Sequence, residues 1–557
     1  MLRGMLAVIL VYYSVGCKSQ DKSSSKGVWS FFQDTSEAYA KKIDEILEKA
    51  KTRATIDLEN QMMNLLAEVY DRQMIEPTIS YFVEKHFYDS PKQVRIETRD
   101  KLVEVISAEL YLRGLTRFGE ASPRFTWADI SRENDKVFAK VPFLPSGPKI
   151  RRLDIDKTYF QDANFVQAFL KVTHGKISKG YNHELLIDGK ASFRKRAQIL
   201  KSAQKRIYVA SWAIYDDETG HEFVNELIAK HRAGVDVRVM VDGKTASRLH
   251  YDKAVVLLAR EGVPLIRWDH PAYPYHGMHR KMMIVDDIHM IVGGLNVGNF
   301  YSHHEVNKLS DNWRDTDFYV QGPIVVDALH AFQYSWNAIR IAMGNKLGAH
   351  VKPIENEVLD EAKKANSYFS GAGESMQLID HEPSQIRADY IYRATLLAVR
   401  AATKSIKINN AYFIMTPPLK EALIDAVKRR GVSLEIITNS AASVDEPIVV
   451  QPILESLPDL IDAGARVYLK QGSTLHTKSF LVDDYWGWIG SYNLHPRSLY
   501  FEVESVLSFF SKNLGREFAQ MFDDDKNLCQ SIINSSDLQI PVTTGSKLAT
   551  YFFYNQL

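Results

Sequence analysis

Two stretches of the sequence carry the same five residues at the same spacing. HRKMMIVDDIHMIVGGLN holds His279, Lys281, Asp286, Gly293 and Asn296. HTKSFLVDDYWGWIGSYN holds His476, Lys478, Asp483, Gly490 and Asn493. Five fixed positions coincide by chance on the order of once in 10⁶ start points, given average residue frequencies. A chain of 557 residues offers far fewer starts, yet the pattern occurs twice. The residue types suit phosphodiester chemistry. One imidazole can attack phosphorus and the other can carry the proton for the leaving and incoming oxygens. Two ammonium groups and two carboxamides can bind the phosphoryl oxygens as charge builds on them. No metal and no cofactor is required by that set, and no acidic cluster with magnesium-type spacing accompanies it.

The spacing also dictates the elements. His and Lys two apart on a strand share one face. Asp286-Asp287 and Asp483-Asp484 read as turns, and IHMIV and WGWI as returning strands, so each motif predicts a β-hairpin. The glycines let backbone approach a ligand closely. Ahead of each hairpin stands a strand–helix–strand signal. In the first it is 207–215, 222–231 and 235–243; in the second 405–414, 418–430 and 431–440. HRAGVDVRVMVD and KRRGVSLEIITN align register for register. The chain is thus an internal duplication, and its α/β units predict a largely parallel sheet with one site between the halves.

The paired motifs resemble the HKD motifs of the phospholipase D superfamily, over about residues 180–540. WAIYDDETG, WRDTD, NAYFIMTPPL, ITNSAASVDE and GSYNLHPRSLYFEVE resemble the bacterial cardiolipin synthase branch more closely. The resemblance implies two pseudo-symmetric α/β repeats with both motifs in one cleft. It implies His279 as nucleophile and His476 as general acid/base. It implies Lys281, Lys478, Asn296 and Asn493 as phosphate-binding groups, with Asp286 and Asp483 holding loops. Asp315 and Glu504 fall where the family has carboxylates that orient the histidines. Ser491 keeps a hydroxyl that the first motif lacks, because Gly293-Gly294 replaces the usual Gly-Ser. Glu502 stands where synthases commonly carry Asn, and His495 where they carry Asp.

Composition bounds the remainder. The charge is +1, with 45% apolar and 25% charged residues, which excludes wholesale disorder and a whole-surface nucleic-acid field. Two cysteines, Cys17 and Cys529, exclude a disulfide scaffold and a cysteine-built zinc site. Residues 1–17 have the order of a secretory signal: Arg3, an apolar run, small residues and Cys17. Gly16-Cys17 resembles a bacterial lipobox, with Cys17 as the lipidated residue. Residues 18–34 are expected to be a tether and 35–122 a helical accessory domain. A connecting layer is expected at 123–179, the repeats at 180–344 and 373–540, a linker at 345–372 and a tail at 541–557. No apolar run of about 18 residues follows the N-terminus, so no internal span is expected. Trp486 and Trp488 read as core.

The expected function is a phospholipid phosphodiesterase or phosphatidyltransferase of phospholipase D type, cardiolipin synthase-like. It would be lipid-anchored in the bacterial cell envelope, on the outer-membrane or periplasmic side in a Gram-negative organism. Its partners would be a phospholipid substrate and the membrane surface, with no nucleic acid and no obligate protein. The alternatives are a secreted nuclease of the same superfamily and a non-catalytic surface lipid-binding protein.

Overall fold

The computed structural model describes residues 41, 42, 45 and 158–540, apart from 248–251, 274–275, 307–311 and 384–388. The expected signal, tether and tail, and all but three positions of the helical accessory domain, lie outside the described residues. Among the described residues sixteen strands form one sheet. In the first half they are β1 (Ser178–Ile187), β2 (Arg206–Ser211), β3 (Asp236–Asp242), β4 (Leu265–Trp268), β5 (Gly277–Met278), β6 (Met282–Val285), β7 (His289–Gly293) and β8 (Thr316–Gln321). In the second they are β9 (Glu374–His381), β10 (Ser405–Asn410), β11 (Ser433–Asn439), β12 (Arg466–Lys470), β13 (Lys478–Val482), β14 (Trp486–Gly490), β15 (Glu502–Phe510) and β16 (Cys529–Ile532).

The order from one edge is β16-β12-β11-β10-β13-β14-β15-β9-β1-β8-β7-β6-β2-β3-β4. Apart from β16, the second half of this series mirrors the first about the antiparallel β9·β1 seam. That is the pseudo-twofold arrangement expected of a duplicated unit. The expected sheet was largely parallel, and the observed one is mixed. β2·β3·β4 and β10·β11·β12 are parallel, joined through helices such as α1 (Glu218–Arg232) and α2 (Pro417–Lys428). The motif hairpins β6·β7 and β13·β14 add antiparallel pairs on the inner side of each trio. Strands joined by a tight turn can pair only antiparallel.

Both halves contribute to one of the apolar clusters. Met290, Phe318, Phe332 and Trp336 of the first half share a cluster with Leu481, Ile489, Leu507 and Phe518 of the second. The expected connecting layer contains a helix, Ala163–Val172, preceded by a turn at Tyr159–Gln161. Its Phe160 ring stacks on Trp486 at 5.2 Å, and Phe169 meets Trp486 edge-on at 5.4 Å. The expected linker likewise holds a helix, Glu357–Ala365. Asn366, at its end, donates to the Asp287 carbonyl and ties it to the first hairpin.

The motif aspartates close the hairpins. Asp286, Asp287, Asp483 and Asp484 all have positive φ, between 48° and 68°. The left-handed pair is what a type I′ turn requires, and Asp tolerates it better than most residues. Asp286 then accepts the N–H groups of Gln204, Lys205 and Arg206 at 2.7 to 3.0 Å. Asp483 does the same for Thr403, Lys404 and Ser405, and also accepts the Thr158 and Thr403 hydroxyls. Each carboxylate thereby pins the start of the neighbouring parallel strand, seven residues along the chain from its histidine. Asp286→Ala or Asp483→Ala should therefore cost roughly 1–3 kcal/mol of stability by leaving three N–H groups without a partner. Thermal unfolding should show the loss, while activity per folded molecule stays within a few-fold of wild type.

Candidate active site

The two halves are stitched together at the motif histidines. β5 runs parallel to the start of β15, with Gly277 opposite Glu502 and Met278 opposite Val503. The His279 N–H donates to the Val503 carbonyl at 2.9 Å. The mirror contact is a parallel bridge between Arg314 and Leu475. There the His476 N–H donates to the Arg314 carbonyl at 2.7 Å. Each histidine thus lies beside the residue that follows its bridging partner in the opposite half.

Those residues are the two carboxylates. Glu504 Oε1 is 2.9 Å from His279 Nδ1, and Asp315 Oδ2 is 2.7 Å from His476 Nδ1. Both carboxylates are wholly buried. A hydrogen bond at Nδ1 fixes the ring and leaves Nε2 for chemistry. The histidines keep 8% and 4% of their surface exposed, so each ring still reaches the outside.

The lysines are buried too. Lys281 Nζ donates to the His279 carbonyl at 2.7 Å, and Lys478 Nζ makes the equivalent bond to the His476 carbonyl. Each ammonium therefore lies against the backbone of its own histidine, with donors to spare. Burial pulls Lys281 down to about 7 and Lys478 down to about 8, against the pull of Glu504 on the first and Asp315 on the second. Burial, reinforced by the two lysine charges, pushes His279 down to about 3. Burial and Lys478 bring His476 down to about 4. Lys478 acts on both histidines and on Lys281, so the two motifs share one electrostatic environment.

The carboxamides differ. Asn296 Oδ1 accepts the Ala213 N–H at 3.3 Å, and its Nδ2 donates to the Tyr301 hydroxyl at 2.9 Å. The Asn493 Oδ1 is buried with no hydrogen-bond partner among the described residues. Ser491 uses its hydroxyl on backbone, donating to the Ser505 carbonyl and accepting the Ser505 N–H. Gly294 takes the place of Ser491 in the first half. A Cβ there would lie 2.1 Å from Asp315 Oδ1. The missing hydroxyl is thus a matter of room for the shorter carboxylate.

Several neighbours were not singled out by the sequence reading. The Ser498 hydroxyl lies between Glu502 Oε2 and Glu504 Oε1, at 3.0 and 2.7 Å, within hydrogen-bond distance of both. Tyr301, Trp313 and Tyr412 surround the His476 ring at centroid distances of 5.3, 5.4 and 6.5 Å. Tyr412 donates to Asp445 and stacks on His495. Arg314, inside WRDTD, is buried against Asp525. An aromatic residue or an arginine in an isolated sequence gives no sign that a distant histidine will meet it. His276 sits apart from the chemistry: it stacks on Tyr273 at 4.9 Å, and burial drives it down to about 3. Among the described residues one histidine–carboxylate trio has ligand atoms within 4.8 Å of one another, and it is His279, Glu502 and Glu504. Arg497 already supplies positive charge there, 2.9 Å from Glu502.

Comparison with known proteins agrees with this geometry. The family model "Cardiolipin synthase, PLD-like domain" matches residues 197–320 and 396–526, one segment in each half. Cardiolipin synthase of Halalkalibacterium halodurans is 27% identical over 346 residues, covering 60% of this chain and 65% of that protein. The chain thus spans just under two thirds of that relative's length. The major cardiolipin synthase ClsA of Bacillus subtilis is 25% identical over 398 residues, covering 70% of this chain and 77% of the relative. The crystal structure of phosphatidylserine synthase from Haemophilus influenzae superposes with a TM-score of 0.52 at 16% identity, over 70% of this chain and 96% of that one. That likeness establishes the fold. The chain thus resembles the phospholipase D superfamily in both halves. Within it, the domain it matches is the one described for cardiolipin synthases.

The lysine environments set a pH dependence for anion binding. An ammonium that loses its proton near 7 to 8 no longer attracts an anion, and burial pushes Glu504 up to about 8, so it gains a charge over the same range. Affinity for an oxyanion such as vanadate should therefore fall as pH rises from about 6.5 to 8.5. Calorimetric titration across that range checks it, and a flat profile would contradict the assignment.

Proposed function

We propose that the protein is a phospholipid phosphatidyltransferase of phospholipase D type, working through a phosphohistidine. The observation that carries this reading is the reciprocal bracing of two histidines, each with a buried ammonium against its own backbone carbonyl. His279 Nε2 attacks phosphorus while His476 protonates the departing oxygen. His476 then takes the proton of the incoming alcohol, whose oxygen displaces His279. Lys281, Lys478 and the amide N–H groups of Asn493 hold the phosphoryl oxygens. The name of the relatives, cardiolipin synthase, favours a lipid substrate and transfer to an alcohol over hydrolysis. It disfavours the nuclease reading, as does the near-neutral charge. Lipid analysis of purified protein incubated with phospholipid vesicles tests this. A new phospholipid should form. His279→Ala and His476→Ala should each lower the rate by at least about 10³-fold. Cleavage of DNA without lipid turnover would overturn the reading, and half-activity in either variant would mean two independent sites.

The relatives are bacterial. Among the described residues, no helix is long and apolar enough to cross a membrane. We infer that attachment comes from Cys17 instead, acylated after export in the bacterial cell envelope; its support is the order Arg3, apolar run, Gly16-Cys17. Radiolabelled palmitate should enter the wild type and not Cys17→Ala, and globomycin should block processing. Unlabelled wild type would rule the anchor out.

A further inference from the structure

The pseudo-twofold axis relates the two histidines, but their surroundings break the symmetry. Glu504 and Asp315 occupy matching places, each one residue past its bridging partner, Val503 or Arg314. Two residues before them stand Glu502 and Trp313. Glu502 is a second buried carboxylate, with Oε2 3.9 Å from His279 Nδ1. Trp313 is an indole, 5.4 Å from the His476 ring. His279 therefore faces two carboxylates near its Nδ1 and the Trp212 ring, whereas His476 has one carboxylate at its Nδ1, feels Asp445 from beyond it, and meets three aromatic rings. Glu502 is held in place by Arg497 at 2.9 Å and by the Ser498 hydroxyl at 3.0 Å. The same Ser498 hydroxyl reaches Glu504, so the two carboxyl groups form one hydrogen-bonded unit beside the ring.

We propose that Glu502 is a positioning residue for His279: its carboxylate stabilises positive charge on that imidazole, and so selects His279 over His476 to carry the covalent phosphoryl group. The inference rests on the phosphohistidine reading above. When Nε2 bonds to phosphorus, the phosphorus–oxygen bond to the leaving alcohol breaks. The electron pair leaves with that oxygen, which takes its proton from His476. The His279 ring then carries phosphorus on Nε2 and hydrogen on Nδ1, with one positive charge. An anion 3.9 Å from Nδ1 stabilises that ring in a buried site, where Coulomb interactions are strong. An indole at the equivalent place gives His476 no second carboxylate beside its Nδ1, which suits a group that must release one proton and take one back in each cycle. The other groups facing His279 are Lys281, Lys478 and Arg497, all opposing the cation, with the Glu504 carboxyl, itself raised to about 8, hydrogen-bonded at Nδ1 and His495 close by. Glu502 pushes His279 toward the charged form and raises Glu504 as well. Gain of a proton and gain of a phosphoryl group by the ring thus depend on the same carboxylate.

Two readouts test it on the full-length protein. The first needs no substrate: carbethoxylation of each histidine by diethylpyrocarbonate, followed by mass spectrometry across pH, reports when each ring is unprotonated. In Glu502→Gln the midpoint for His279 should move about one unit to lower pH, with His476 unchanged. The second is the phosphatidyl adduct on the His279 peptide in rapidly quenched turnover, which should fall about tenfold in the same variant. Glu502→Asp, which keeps the charge, should restore both. An unmoved His279 midpoint in Glu502→Gln overturns the proposal. So does an equal shift at both histidines, which indicates general loosening around Arg497. If the midpoint moves as expected but wild type forms no adduct from phospholipid, the charge assignment stands and the phosphatidyltransferase reading fails.

Discussion

The site depends on an exchange of carboxylates across the seam. His279 belongs to the first half and is oriented by Glu504 of the second. His476 belongs to the second and is oriented by Asp315 of the first. Backbone hydrogen bonds at Val503 and Arg314 set the register of both exchanges to a single residue. A shift of one residue would point each carboxylate to the opposite face of its strand. The mirrored sheet order, the common core and the pinned hairpins all serve to hold that register.

The lysines gain their properties from the same construction. They are buried where the inner hairpin strands begin, Lys281 just ahead of β6 and Lys478 as the first residue of β13. Burial keeps an ammonium close to losing its proton and leaves it with little competing water. Such a group responds strongly to an arriving phosphoryl oxygen. The cost is a site that tolerates little change in local charge. The motif aspartates avoid that problem by acting far along the hairpin, on backbone N–H groups and, for Asp483, two threonine hydroxyls.

Much of this was legible in the sequence. A five-residue pattern repeated at fixed spacing identifies the hairpins, since the Asp-Asp turn has a local cause, although His279, Lys281 and His476 fall just outside the strands expected to carry them. The strand–helix–strand units are equally local, and helix ends fell within about four residues of the expected positions. What was not legible is long-range. The mixed character of the sheet follows from where the hairpins pair. The helix Ala163–Val172 was hidden because its aromatic face matters only once Trp486 is opposite it. Ser491 reads as a phosphate contact by resemblance, whereas the structure shows its hydroxyl bonded to the Ser505 backbone. Gly294 reads as a lost contact, and only the position of Asp315 shows why no side chain fits.

The mirrored strand order about β9·β1 has one more consequence. The same site could in principle be assembled from two identical chains, each supplying one histidine and one carboxylate across an isologous interface. In such a pair every difference between the two sides is forbidden, because one codon specifies both. Joining the halves in one polypeptide lifts that restriction. Each side can then change by itself, as the places of Glu502 and Trp313, or of Ser491 and Gly294, have done. Covalent fusion, in this molecule, is what permits two equivalent histidines to stop being equivalent.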